Sequence, residues 1–202
     1  MSREEFEVNK AKTLLSVRDL SVSFAGKPVV QGVSFDMAAG EKLALVGESG
    51  SGKSVTALSL LRLVGNAQLN GQAFLDGRDL LRLSERDMQA VRGGDIAMIF
   101  QEPMTALNPL MTVGDQVAEV LQLKQALSKA QAQKQAIELL ATTGIPEPER
   151  RAQSFPHQLS GGQRQRAMIA MALGSRPRLL LADEPTTALD VTLRGQILDL
   201  LA

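Results

Sequence analysis

The apolar residues of this chain change their period several times, and each change marks an element. Between residues 14 and 46, Val17, Leu20, Val22 and Phe24 alternate in part with polar neighbours, and Val33 and Phe35 alternate again before Gly40. That period of two predicts strands with one buried face. Gly26-Lys27-Pro28 predicts a turn between them. The run Leu43-Ala44-Leu45-Val46 is short and wholly apolar, as a buried strand is. From Val55 to Val64 apolar residues fall on every side of a helical projection, which predicts a helix packed all round. Ala73-Phe74-Leu75 followed by Asp76-Gly77 predicts a hairpin. Ser84 with Asp87 three residues on predicts the start of a short helix ending at Gly93-Gly94, and Ile96 to Phe100 a buried strand.

The middle differs in kind. From Gly114 to Gly144 the chain is rich in Ala, Gln, Leu and Lys, all good helix formers. Val117, Val120 and Leu121 share one helical face; Ile137, Leu140 and Ala141 share another. Ser128 with Gln131 predicts a capping box between two helices, and Gly144 the stop of the second. Residues 178–184, RLLLADE, then predict an apolar strand that ends in two acids. A helical lobe inserted between β-rich portions of an α/β fold is the expected organisation.

The chemistry is concentrated in residues 47–54, GESGSGKS, a full match to the phosphate-binding pattern G-x-x-x-x-G-K-[ST]. Between a strand and a helix, Gly47, Glu48, Ser49, Gly50, Ser51 and Gly52 would curl backbone amides around a phosphate chain. Lys53 would reach the outer phosphates and the Ser54 hydroxyl would coordinate Mg²⁺. An ordinary Gly/Ser turn is the bland alternative, and a chance match is on the order of one per cent at average glycine usage. Acids at the carboxyl end of a buried parallel strand face the crevice where open α/β sheets bind ligands. Asp183 is therefore placed to hold Mg²⁺, and Glu184 to orient and deprotonate an attacking water. Without the phosphate loop, a solvated acidic turn would account for these two residues equally well.

Composition narrows the setting. Lys plus Arg and Asp plus Glu both number 22, so no basic balance points to nucleic acid. The first twelve residues are charged and carry no apolar core, unlike a secretory signal. The longest apolar run, Ala167 to Leu173, is far short of the ~20 residues that span a bilayer. These features are those of a soluble, intracellular protein. There are no cysteines, which removes disulfides and thiolate metal sites.

Residues 159–166, LSGGQRQR, supply a second anion site on local grounds: Ser160 can cap a helix start, and Gly161 and Gly162 leave amides exposed. In the order GESGSGKS, Gln101, LSGGQ, LLLADE and Ala188-Leu189-Asp190, the chain resembles the nucleotide-binding cassette of ABC transporters, from about Leu14 to its last residue. IFQEPMTALNP, FPHQLSGGQRQRAMIAMAL and ADEPTTALDV resemble the ATP-binding subunits of oligopeptide and dipeptide importers. The resemblance implies a P-loop core of the RecA type with an antiparallel β subdomain and an inserted helical subdomain. It divides the chain into a polar extension over 1–12, a β-rich P-loop core over 13–100, a helical subdomain over 101–158 and a signature-helix core over 159–202.

It also implies that ATP and Mg²⁺ are bound, with Gln101 sensing the metal and the attacking water. Phe24 would stack on adenine; plain strand core is the even alternative for it. Ser160, Gly161, Gly162, Gln163 and Asp190 would serve an ATP site shared with a second cassette. The helical lobe would dock onto transmembrane permease subunits, themselves fed by a solute-binding protein, at the cytoplasmic face of the membrane. The one histidine, His157, precedes the signature and reads as a structural residue beside Pro156. The family's switch histidine follows the acidic strand, and with twelve residues after Asp190 the chain resembles a C-terminally truncated cassette, expected to bind ATP but to hydrolyse it poorly. A non-transport ABC ATPase and a cassette that binds ATP without turnover are the two competing expectations.

Overall fold

The computed structural model describes residues 13–184, apart from the side chains of Met104 and Thr105. By their contacts they form two compact units that divide between Met88 and Gln89. The polar extension over 1–12, Ala188-Leu189-Asp190 and the last residues of the chain lie outside the described residues.

The first unit is built on a four-stranded antiparallel sheet. Strands β1 (Thr13–Phe24), β2 (Lys27–Ala38), β3 (Ala67–Leu75) and β4 (Arg78–Asp79) lie in the order β2-β1-β3-β4. The β1–β2 turn falls at Ala25-Gly26, one residue earlier than the Gly-Lys-Pro triplet suggests, because Lys27 is already paired with Phe24. Ala25 and Gly26 both have positive φ, and so do Asp76 and Gly77 between β3 and β4. Turns of that hand match the right-handed twist of the strands they join. β1 and β2 slip register several times along their length. At these slips serine hydroxyls stand in for ladder acceptors: Asp19 N–H donates to Ser34 Oγ at 2.8 Å and Gly32 N–H to Ser21 Oγ at 2.9 Å. Leu15, Val17, Leu20, Val22, Ala73 and Leu75 are buried and fill the core side.

Helix α1 runs from Lys53 to Leu60, shorter than the apolar run predicts. Arg62 adopts a left-handed φ of 52°, Leu63 N–H bonds to Leu58 O at 2.9 Å and Arg62 N–H to Ser59 O at 3.0 Å. This Schellman-type ending closes the helix before Val64. Only Thr56, Ser59 and Leu60 of α1 are buried, so the helix is not packed all round. The run Leu43–Val46 is a larger departure. It forms no strand; Leu43 and Leu45 are each 43% exposed and Val46 is 93% exposed. The ladders of its own unit join β2, β1, β3 and β4 without these residues.

The second unit contains a two-stranded parallel sheet and a helical lobe. Helix α2 (Glu85–Val91) crosses the division and stops before Gly93; Asp87 N–H donates to Ser84 Oγ at 3.2 Å, as the Ser/Asp spacing predicts. β5 (Ile96–Ile99) is buried at every residue and pairs in parallel with β6 (Leu179–Ala182). Between them lie α3 (Pro103–Ala106), α4 (Val113–Gln125), α5 (Lys129–Thr142), α6 (Pro148–Ala152), a 3-10 turn (Pro156–Gln158) and α7 (Gly161–Gly174). α5 begins with the predicted box: Gln131 N–H donates to Ser128 Oγ, and Gln131 Oε1 accepts from Ser128 N–H at 3.1 Å. Val113, Val117, Leu121, Ala132, Ala136, Leu140, Ala167 and Ala170 form one core. Each fully buried leucine there contributes about 1.5–3 kcal/mol through removal from water.

Candidate functional site

In the first unit, the phosphate loop leaves an unstructured approach over 41–48 and turns on two glycines, Gly50 with φ 81° and Gly52 with φ 91°. Ser51 N–H bonds to Glu48 O at 3.2 Å and tightens the turn. The first bond of the α1 ladder is Thr56 N–H to Gly52 O at 2.8 Å, which makes Gly52 the N-cap. Gly52 has no side chain with which to cap, and the first-turn amides of such a helix are where an anion docks. The loop is pressed against β2: a Cβ on Gly52 would lie 2.9 Å from Val30 Cγ2 and 3.0 Å from Val29 O. This backing by Val29 and Val30 was not foreseen, because nothing in the β2 pattern marks it apart from ordinary alternation.

Lys53, the first residue of α1, folds back across the loop. Its Nζ donates to Gly47 O and Glu48 O, both at 2.8 Å. The ammonium therefore stands over the loop with its charge held at a defined place, where an outer phosphate would meet it. Glu48, Ser49, Gly50 and Ser51 are exposed and Ser54 is half-buried. Exposed amides, one fixed cation and a hydroxyl at the helix start form a donor set that fits a polyphosphate chain. The Ser54 hydroxyl is a hard oxygen donor of the kind Mg²⁺ takes, completing its shell with phosphate and water. Phe24 ends β1, paired with Lys27 and Ala67, and is half-buried.

In the second unit, the acids sit where the sequence puts them. Asp183 follows β6 directly, and its N–H bonds to Ile99 O at 2.9 Å, extending the parallel ladder by one residue. Glu184 is exposed and has a positive φ of 47°, a sparsely populated conformation for a residue with a Cβ. Gln101, two residues after β5, donates from Nε2 to Glu184 Oε2 at 3.2 Å. Residues 83 apart in sequence are thus joined at the carboxyl ends of two parallel strands, as open α/β sheets arrange their ligand sites.

The signature also lies in this unit. Ser160 is the N-cap of α7: its Oγ accepts from Gln163 N–H at 3.2 Å, while its N–H donates to Gln163 Oε1 at 3.1 Å. Gln163 thereby closes a reciprocal box with Ser160, a local role for it that the sequence reading missed although the S-x-x-Q spacing announces it. Arg164 Nε donates to Pro156 O at 2.8 Å and ties the helix start to the preceding 3-10 turn. Ala167, Met168, Ile169 and Ala170 bury the helix behind it. Pro156 is buried, whereas His157 is exposed and its ring stacks on Phe155 with centroids 5.8 Å apart.

The profile of one protein family, described as ABC transporter, matches residues 30–187. The chain belongs to this family. It is 59% identical over 195 residues to the peptidoglycan transport ATP-binding protein YejF of Agrobacterium fabrum, covering 93% of this chain and 36% of that protein. It is 53% identical over 195 residues to the oligopeptide transport ATP-binding protein OppD of Bacillus subtilis, covering 93% and 54%. The chain therefore spans less than two thirds of the length of these relatives. Among solved structures it is similar to the dimeric, post-hydrolysis ATP-binding cassette MJ0796 bound to ADP and Pi, with a TM-score of 0.83 and 30% identity. That match covers 93% of this chain and 81% of the cassette. The fold is accordingly that of an ABC cassette, P-loop core, antiparallel sheet and helical lobe together.

Proposed function

We propose that this chain is an ATP-hydrolysing subunit that energises an ABC importer of peptides or similar solutes. The observation that carries the proposal is the phosphate loop, with Lys53 fixed over Gly47 and Glu48 at the start of α1. The names of its relatives, which transport peptidoglycan and oligopeptides, support the solute class.

In this reading the loop over 47–54 holds the phosphate chain of ATP by its amides, Lys53 neutralises the outer phosphates, and Phe24 stacks on the base. Ser54 and Asp183 would each offer an oxygen to Mg²⁺, which would supply charge neutralisation for phosphoryl transfer to water. Glu184 accepts the proton of the attacking water, and Gln101, already hydrogen-bonded to that carboxylate, orients it and monitors the metal. Ser160, Gly161, Gly162, Gln163 and Asp190 are assigned to the ATP site of a second cassette; Asp190 lies outside the described residues. The capped start of α7 supports the first four assignments, since a helix N-terminus favours phosphate. Permease subunits, and through them a solute-binding protein, are the expected partners, at the cytoplasmic face of the membrane and without nucleic acid. Among the described residues no helix is long and apolar enough to cross a membrane. The loop and the signature stand 113 residues apart. Short helices fill that interval, α4 of 13 and α5 of 14 residues, rather than the long coiled coil of non-transport members.

The test is ATP binding and steady-state phosphate release by the parent chain and by Glu184→Gln. The parent should turn over; the variant should keep its ATP affinity and lose roughly two orders of magnitude or more in rate. Parent-like hydrolysis by Glu184→Gln would overturn the assignment.

A further inference from the structure

One buried polar side chain in the helical lobe serves neither the core nor the helix that carries it. Gln116, in the first turn of α4, is 4% exposed. Its Oε1 accepts from Asn108 N–H at 2.8 Å, and its Nε2 donates to Asn108 O at 3.0 Å and Met111 O at 3.1 Å. All three bonds go to the backbone of the loop between α3 and α4. A glutamine amide has two donor hydrogens and a carbonyl oxygen, and here both of its ends are engaged by one loop. Long helical side chains lean toward the N-terminus, which is why position 116 can reach back over 108–111.

That loop is the far end of the segment that carries Gln101. The near end is fixed by β5, where Ile99 is fully buried and Ile99 O accepts from Asp183 N–H. From there the chain runs through Gln101 and α3 to Leu107, 3% exposed, and then to Asn108. The stretch over 100–107 is therefore short and pinned at both ends, with the Gln116 amide as one pin. Asn108 braces the loop further by accepting Leu110 N–H on Oδ1 at 3.0 Å.

We propose that Gln116 is a positioning residue for turnover: by holding Asn108 it restricts the segment over 100–107 and keeps Gln101 on Glu184. This rests on the reading of Glu184 as the water-activating carboxylate. Loosening one pin gives the segment more conformations, so Gln101 spends less time on Oε2 of Glu184. The bonds described for the phosphate loop, Ser51 N–H to Glu48 O and Lys53 Nζ to Gly47 O and Glu48 O, are made within the loop itself, so ATP affinity should be untouched while kcat falls.

Two measurements on the full chain test this with Gln116→Met, which keeps the volume and removes the amide. Hydrogen exchange of the amides over 100–107 should become roughly tenfold faster, with α5 and α7 unchanged. kcat should fall roughly three- to tenfold with KM for ATP unchanged. The same substitution placed on Gln101→Ala should add little, because the residue through which it acts is gone. A purely structural role would multiply the two losses instead, and that outcome would overturn the proposal. Unchanged exchange over 100–107 would also overturn it, whether or not the parent hydrolyses ATP. A parent without turnover would refute the proposed function separately. Should Gln116→Met not fold, Gln116→Glu gives the same test. When its carboxyl is protonated it retains an acceptor and a donor; when ionised it faces two carbonyl oxygens. Protection of the amides over 100–107, taken relative to the intrinsic rise of exchange with pH, should then fall as pH rises through that titration, and protection that stays flat would refute the clamp.

Discussion

Alanine at two neighbouring glycines of the phosphate loop separates backbone strain from contact with the sheet. Gly50 and Gly52 have similar left-handed φ values, 81° and 91°, so alanine at either carries about 1–2 kcal/mol of conformational cost. Their surroundings differ. A Cβ on Gly50 meets nothing within 4 Å, whereas one on Gly52 would lie 2.9 Å from Val30 Cγ2 and 3.0 Å from Val29 O. The methyl can rotate away with its side chain. The carbonyl cannot move alone, because Val30 beside it is paired with Val22 of β1. Overpacking of this kind adds about 1–3 kcal/mol. Gly50→Ala should therefore cost about 1–2 kcal/mol and Gly52→Ala about 2–5 kcal/mol. For a chain of this size each kcal/mol lowers Tm by about 2–4 °C. If the loop relieves the clash by lifting off β2, the loss appears as weaker ATP binding instead, so calorimetric melting and ATP titration must be run together. Equal effects of the two substitutions in both measurements would refute the reasoning.

Lys53→Ala removes the ammonium that Gly47 O and Glu48 O hold over the loop, and its charged hydrogen bond to an outer phosphate would be worth about 1.5–3 kcal/mol. ATP affinity measured by calorimetry should fall roughly 10- to 150-fold, and an unchanged affinity would unseat the phosphate-loop assignment. Ser160→Ala should lower stability by about 1 kcal/mol through the lost cap, whereas Ser160→Thr should nearly retain it; comparable denaturant midpoints for parent and Ser160→Ala would count against the cap. Asp115 lies below its ordinary value of 3.8, first because Thr112 Oγ1 donates to it and then because Gln133 of α5 does. Its stabilising contribution is thus present above that value and is lost as pH falls through the lower folded value. Since the residue is largely exposed, the contribution is about 0.5 kcal/mol after solvent screening. The stability gap between parent and Asp115→Asn should close in acid; a gap that widens there would contradict the sign.

The elements read correctly from the sequence were those whose cause is local. Ser128 with Gln131, and Ser84 with Asp87, mark helix starts because the bonds that make a cap join residues three apart. Asp76-Gly77 marks a hairpin because its two residues take the backbone hand that the turn needs. The phosphate loop is legible for the same reason, since eight consecutive residues carry the whole motif. Leu43–Val46 failed because apolar composition states what a segment would bury, not which strand will pair with it. α1 ended early because Arg62 took the left-handed position that usually falls to glycine, and nothing in its type signals that. Gln116 was invisible for a third reason. A glutamine among good helix formers looks like solvent-facing surface, and only the fold shows its amide turned onto Asn108 and Met111.

In the proposed reading, the signature serves structure and chemistry together. In LSGGQ the Ser160 oxygen accepts Gln163 N–H and the Gln163 oxygen accepts Ser160 N–H, so two helix-start donors are satisfied within the motif. What that leaves is chemically specific. A serine hydroxyl that accepts one bond still has a hydrogen to donate, and no side chain on Gly161 or Gly162 shields the first-turn amides. An anion can therefore be taken without unmaking the cap that orients it, and the cap itself is held from behind by Arg164 on Pro156. Replacing Gln163 would strike the geometry of Ser160 before it struck any contact with a nucleotide. Loss of activity on changing Gln163 is thus no measure of direct binding, unless the capped state of α7 is followed in the same experiment.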